Sequence, residues 1–140
     1  MLNLTTAIWS KLATSALASH IGTRMYKGRA PANATYPYIV YMVVADTPDK
    51  TFNSDYEDVL IQFSLFSTTS GSTEIENIFT DLKSLYDECT MTIAAGANTL
   101  IWMRRENATL MVEDHTASPT STATVQVWHY AVDYMCTVKV

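Results

Sequence analysis

The residues with the clearest chemical potential stand together at Glu113, Asp114 and His115, with Ser118 just beyond. A hydrolase could use His115 as a general base and a serine as its nucleophile. However, no serine is flanked by the glycines of a nucleophile elbow. Adjacent strand residues also point to opposite faces of a sheet. We therefore expect a solvated strand end that leads into a Ser-Thr loop, rather than a catalytic triad.

Metal, phosphate and cofactor sites are not indicated by residue spacing. The three histidines form no HxH or HExxH pattern: His20, His115 and His129. The four glycines stand singly, so there is no glycine-rich phosphate loop: Gly22, Gly28, Gly71 and Gly96. The pair Arg104 and Arg105 is expected at a strand end, and most Trp and Tyr side chains on core faces. We expect no enzyme activity and no cofactor.

The two cysteines and the N-terminal segment both favour an intracellular protein. Cys89 and Cys136 lie far apart with no ligand-spaced partner, so we expect free, buried thiols in a reducing compartment. Lys11 interrupts the apolar stretch that a signal peptide would need. No run of about 18 apolar residues exists that could span a membrane.

The overall charge argues against ordinary nucleic-acid binding. The chain has 140 residues, a net charge of −5 and only nine Lys and Arg residues. Neutralising phosphates requires a concentrated excess of basic side chains. The charged share is 16% and the hydrophobic share 48%, a weakly charged surface of the kind that other copies often cover.

One charge contrast stands out and suggests an interface between copies. Three basic residues lie within six positions: Arg24, Lys27 and Arg29. A compact acidic segment follows, with five carboxylates: Asp46, Asp49, Asp55, Glu57 and Asp58. The same segment carries Phe52 and Tyr56, two apolar residues that could be buried in a contact. Solvated loops would explain the same pattern. Between copies, the two groups could meet head to tail and close a ring.

The first half of the chain predicts a helix and a hairpin. Apolar residues recur at every fourth position: Leu4, Ile8, Leu12 and Ala16. This spacing predicts an amphipathic helix that ends near Gly22. Residues 36–45 are apolar on both faces, which suits a strand covered on two sides or by a partner. Residues 46–58 predict a long polar hairpin loop. From Val59 the alternation predicts a second strand.

The second half predicts a helix and several strands. Thr73 and Glu76 match a capping box ahead of an apolar stripe from Ile75 to Tyr86. Short strands are expected at 91–94, 99–105 and 109–114, separated by turns at 96–98 and at Asn107. The last strand changes its alternation near Val127 and Trp128, which predicts a bulge. The order predicts one α+β domain over residues 1–140, with a largely antiparallel sheet packed against two main helices.

The order of several short motifs resembles the tail completion family of long-tailed bacteriophages, also called tail terminator or tail-to-head joining proteins. The motifs are RMYKGRAP, YPYIVYMVV, a Pro-containing acidic loop, VLIQFSLFS and the helix SGSTEIENIFTDLKSLYDE. The closest matches are Arg24 to Tyr26, Arg29 to Pro31 and Pro37 to Val40. The likeness extends from the first helix to about Tyr86 and is less specific beyond it.

The resemblance implies a structural virion protein, assembled in the bacterial host cytoplasm. Such a protein forms a hexameric ring on the head-proximal end of the tail tube, stops tube growth and docks to the head completion proteins of the neck. DNA would pass through the lumen without specific binding, which an acidic wall favours. Its partners would be copies of itself, the tail tube protein and a neck protein, with no membrane.

Three alternatives are distinguishable by experiment. The first is a neck adaptor or tail tube subunit of the same virion; a tube subunit would polymerise into long tubes, whereas a terminator would stop at a ring. A small enzyme would lose activity on His115→Ala. A ligand-binding domain would stay monomeric, with an apolar cavity between helix and sheet.

Overall fold

The computed structural model describes residues 2–93, 98–117, 120 and 122–140. It contains three helices and six strands in chain order: α1 Leu2–Leu12, α2 Ala18–Ile21, β1 Met25–Lys27, β2 Tyr38–Lys50, β3 Asp55–Ser67, α3 Thr73–Tyr86, β4 Thr92–Ile93, β5 Asn98–Thr116 and β6 Thr124–Lys139.

The strands form one sheet in the order β1-β2-β3-β6-β5-β4. β1 lies parallel to β2, and every other neighbouring pair is antiparallel. This arrangement confirms the predicted α+β class, with a largely antiparallel sheet and two main helices, α1 and α3.

The helices cover one face of the sheet, called here the covered face. Alternate residues of β3 enter the core, as predicted: Val59, Ile61, Phe63 and Leu65. They pack with the apolar stripes of α1 and α3. Two buried tyrosines tie α1 to this core, because the Tyr86 hydroxyl donates to the Ile8 carbonyl at 2.7 Å and the Tyr41 hydroxyl to the Thr5 carbonyl at 3.3 Å.

The opposite face, called here the open face, has no helix against it within the described residues. Its side chains include Met42, which is 43% exposed, and half-buried Val40 and Leu60. The prediction offered two alternatives for residues 36–45, burial on both faces or cover by a partner. Within the described residues β2 is covered on one face only, and cover by a partner stays a prediction.

The N-terminal helix is shorter than predicted. α1 ends at Leu12, because the Ser15 amide and hydroxyl both bond to the Leu12 carbonyl, at 3.0 and 2.7 Å. Such local side-chain bonds compete with helix continuation. Leu17 then enters the core, while Ala16 is exposed, and a separate short helix, α2, ends at Ile21 with Gly22 as its C-cap.

The predicted long loop at 46–58 is wrong, because the strands continue through it. β2 runs to Lys50 and β3 starts at Asp55, with a tight turn in which the Thr51 amide donates to the Ser54 carbonyl at 2.9 Å. β6 follows β3 as far as the pairing of Tyr56 with Lys139. Pairing with a third strand outweighs the weak strand propensity of these polar residues.

The second half also differs from prediction in its strand breaks. Asn107 does not interrupt β5, which is one strand of 19 residues with a register shift between Arg105 and Asn107. β6 pairs with both neighbours with no register shift at Val127 and Trp128. The apolar alternation of β6 changes near Val127 for another reason. β6 lies between β3 and β5, and Val127 is fully buried there although it lies toward the open face. The expected turn at 96–98 lies mostly outside the described residues.

The predicted capping box does not form. Ser72 is the N-cap of α3 and makes no side-chain cap bond, and Thr73 is already the first helical residue. The carboxylate of Glu74 instead accepts a bond from the Ser67 hydroxyl at 2.6 Å. The predicted stripe on α3 is confirmed, since its buried residues are Ile75, Ile78, Phe79, Leu82 and Tyr86.

Candidate assembly surface

The basic and acidic groups lie at opposite ends of the β2–β3 hairpin. β1 pairs with the start of β2, Lys27 opposite Tyr41, so the basic residues sit at the base of the hairpin. The acidic residues flank its tip beyond Ala45. Lys50 is nine positions from Tyr41 along β2, a separation of about 30 Å at the usual rise of a strand. The structure therefore does not bring the two groups of one chain together.

The three basic residues have different surroundings. The Arg24 guanidinium is half-buried and donates to the Pro37 carbonyl at 2.9 Å and to the His20 carbonyl at 3.4 Å, so it holds the turn ahead of β2. Lys27 and Arg29 are exposed, and neither makes an ion pair within the described part of the chain. These two are available to a partner.

Strand alternation divides the acidic residues between the two faces of the hairpin. Three of the acidic side chains lie toward the covered face: Asp46, Asp55 and Glu57. Asp46 is opposite buried Val59, and the other two fall in the same alternation as Val59 along β3. Asp49 and Asp58 lie toward the open face. This division differs from the compact acidic loop that the sequence suggested, because the segment is extended rather than coiled.

The hairpin tip carries the most exposed large apolar side chain among the described residues. Phe52 lies in the turn and is fully exposed. Tyr56 is half-buried and opposite Asp49 on the open face. The carboxylate of Asp58 accepts a bond from the Thr137 hydroxyl at 2.7 Å, so Asp58 is already partly engaged in the sheet.

An aromatic cluster that the sequence did not predict lies on the open face at the base of the hairpin. Tyr38 stands at its centre, with ring centroids 5.1 Å from Tyr36, 5.0 Å from Phe66 and 6.0 Å from Tyr26. Phe66 also stacks on His129 at 4.4 Å. Burial beside Tyr36 raises the pKa of Tyr38 to about 12. Most Tyr residues were expected on the core face, which holds for Tyr41, Tyr86, Tyr130 and Tyr134 but not for these.

The cluster forms the floor of an open groove of about 630 Å³. Its lining includes the turn before β2, the first open-face residues of β2 and the end of β5: Gly28, Arg29, Ala30, Pro31, Ala32, Tyr36, Tyr38, Val40, Met42, Ser64, Phe66, Asp114, His115 and Thr116. Two features of the sequence could have indicated this groove. They are the apolar residues on both faces of 36–45 and the two-residue spacing of Tyr36 and Tyr38.

Glu113 connects two histidines beside the groove. Its carboxylate oxygens lie 2.9 Å from His115 Nε2 and 2.7 Å from His129 Nδ1, and the Tyr36 hydroxyl lies 3.1 Å from His115 Nδ1. Burial acts to raise the pKa of Glu113, but the bonds from His129 and His115 outweigh it and hold that pKa below its usual value.

Two of the residues considered for catalysis in the sequence, Glu113 and His115, do contact each other. They are two positions apart and share a face, which lets them meet. Ser118, the serine that follows this cluster in the sequence, lies outside the described residues. No group of three or more metal-ligating side chains occurs where the structure describes the chain.

The cysteines are free thiols, as expected. Cys136 is buried and Cys89 half-buried. Burial raises the pKa of Cys136 to about 12 and also raises that of Cys89. Within the described residues, no helix is both long and apolar enough to span a membrane.

Comparisons with known proteins place this fold in a virion context. The family model "Tail completion protein gp17" matches residues 6–133. A solved structure, a chain of the virion of a native gene transfer agent particle, superposes with a TM-score of 0.72 at 12% identity, covering 98% of this chain and 95% of that one. A comparison with curated protein sequences gives no significant match. The chain belongs to the tail completion protein gp17 family and is a structural protein of the phage tail.

Proposed function

We propose that residues 1–140 form one tail-terminator domain that assembles as a hexameric ring on the head-proximal end of the tail tube. The ring ends tube growth and presents a surface to a head completion protein of the neck. The chain acts by assembly, without a catalytic step. Its partners are copies of itself, the tail tube protein and the neck protein.

The observation that carries the proposal is the separation of charges that form no ion pair among the described residues, with basic side chains beside the base of the β2–β3 hairpin and acidic side chains at its tip. Lys27 and Arg29 lie at the base, and Asp49 and Asp55 lie near the tip. A single chain cannot join groups about 30 Å apart on a paired hairpin. A second copy can join them, and a contact between two different ends of a molecule is heterologous, the type that closes into a ring.

The composition supports passage of DNA through the ring without specific binding. The net charge is −5. A negative lumen repels phosphates and does not hold them, whereas a binding site would concentrate lysine and arginine.

Charge reversal tests the contact between copies. Arg29→Glu should weaken ring formation, and adding Asp49→Lys should partly restore it, because the pair is then re-formed with the signs exchanged. An exposed ion pair contributes about 0.2–1 kcal/mol, so the loss should be clear at low salt and smaller at high salt.

The assay is sedimentation velocity, with negative-stain microscopy of tail tubes mixed with each variant. The control is Lys83→Glu, on helix α3 and away from the hairpin. Normal ring formation by Arg29→Glu at moderate salt would show that this contact is not the one that closes the ring.

A further inference from the structure

We propose that Phe52 of one copy inserts into the open-face groove of the next copy, on the floor formed by Tyr38, Met42 and Phe66. The inference rests on the proposed ring and identifies the apolar part of its contact. The ion pairs tested above lie at the edge of this contact and supply little of its free energy.

Phe52 is left uncovered by the described residues of its own chain. It is fully exposed at the hairpin tip, the position from which a side chain reaches farthest. Neighbouring side chains at the tip, Lys50 and Thr51, offer it no apolar cover. An exposed aromatic ring of this kind is a typical anchor for a protein contact.

The groove suits an aromatic ring. It is an open, shallow groove of about 630 Å³ with a floor of aromatic rings and a methionine. Met42 is 43% exposed there, so apolar surface remains to be covered. Methionine and aromatic rings make favourable contacts with an inserted phenyl group.

The charges of the groove and of the hairpin tip also favour a second copy as the occupant. Arg29 and Asp114 both line the groove, and Arg29 makes no ion pair within the described residues, whereas Lys27 pairs with Tyr41 and so lies toward the covered face. Asp49 and Asp55 flank the tip that carries Phe52. Asp49 shares the open face with the groove, so a second copy can bring this carboxylate toward Arg29 along with the phenyl ring for the floor.

The composition of β2 excludes pairing through its free edge. Beyond Tyr41 no strand of the described part of the chain lies next to this edge, since β1 pairs only with residues 39–41. Pro48 offers no amide hydrogen there, and Asp46, Asp49 and Lys50 add charge. Proline and charged side chains block edge-to-edge addition, so the hairpin contacts its neighbour through its tip and faces.

Disulfide trapping tests the docking directly. In a Cys89→Ser background, Asn53→Cys beside Phe52 and Met42→Cys in the groove should cross-link into a ladder of covalent multimers on mild oxidation. Disulfides require Cα atoms within about 7 Å, so they report contact. The control pair, Asn53→Cys with Ser10→Cys on α1 at the covered face, should not cross-link.

Two substitutions, each with a matched control, test how much the groove contact contributes to assembly. Phe52→Ala should weaken each contact roughly tenfold or more, whereas Phe52→Leu keeps most of the apolar area and should assemble nearly as well. Ala32→Trp fills the groove and should block assembly, while Ala13→Trp, exposed after α1, should not. Phe52 and Ala32 are exposed, so at protein concentrations too low for assembly the melting temperatures should stay within about 2 °C of the parent.

The outcomes separate the docking from the ring. A ladder for the groove pair and none for the control supports the docking. Rings or capped tubes that form without this cross-link, or with Ala32→Trp in place, overturn the docking and leave the ring intact. A chain that remains monomeric both alone and with tail tubes contradicts the ring, and the docking with it.

Discussion

The two faces of the sheet should respond very differently to the same truncation. Ile61 lies on the covered face, is 0% exposed and pairs with Val43 and Tyr134. Met42 lies on the adjacent rung, on the open face, and is 43% exposed. Ile61→Ala removes buried methyl groups and leaves a cavity, whereas Met42→Ala removes a side chain that is already partly in water.

The expected losses differ several-fold. Ile61→Ala should cost about 2–5 kcal/mol of the free energy of unfolding, and Met42→Ala less than about 1 kcal/mol in the monomer. With a urea m-value of about 2 kcal/mol per molar, the midpoint should fall by roughly 1–2.5 M for Ile61→Ala and by less than 0.5 M for Met42→Ala.

Urea unfolding followed by circular dichroism at low protein concentration measures both shifts. The same variants at high concentration provide the contrast, since Met42→Ala should then lose the extra stability that assembly adds to the parent. An equal loss for both variants at every concentration would mean that the open face is buried within one chain, and would refute the two-face account.

Three further predictions concern the edge, the thiols and Glu113. Pro48→Val gives the free edge of β2 an amide hydrogen and should increase light scattering on standing; a variant as soluble as the parent would contradict the protective role of Pro48. In the native protein, a thiol reagent at pH 8 should react slowly with Cys136 and Cys89, and unfolding should release both; rapid native reaction of both thiols would contradict their burial. Because its pKa is lowered from 4.5, ionised Glu113 stabilises the fold above that pH, and this contribution is lost as pH falls below it. Glu113→Gln should therefore lower the melting temperature at pH 7 and flatten its decline below pH 4.5; a profile parallel to that of the parent would contradict this assignment.

The fold was predictable where periodicity was strong. Alternation from Val59 to Leu65 predicted which face of β3 enters the core. The apolar stripe did the same for α3, and both predictions are confirmed. The helix end at Leu12 was not predictable from periodicity, because the apolar spacing continues to Ala16 while a local bond from Ser15 ends the helix.

The candidate surface was predictable in its parts but not in its arrangement. The residue types at Arg29, Phe52 and Asp49 suggested an interface, yet their distance depends on residues 46–58 being strand. Polar composition favoured a loop, and pairing with β6 overrode it. The aromatic floor was missed because it joins Tyr38 to Phe66 across two strands and to His129 on a third. The sequence shows such neighbours only once the strand register is known.

The central claim, that the protein caps the tail tube as a ring, is tested most directly by electron microscopy of purified tail tubes mixed with the protein. The account predicts a ring of density at one end of each tube and no further tube growth when tube protein is added. Tubes that keep growing with both ends bare, or protein that itself polymerises into long tubes, would contradict it.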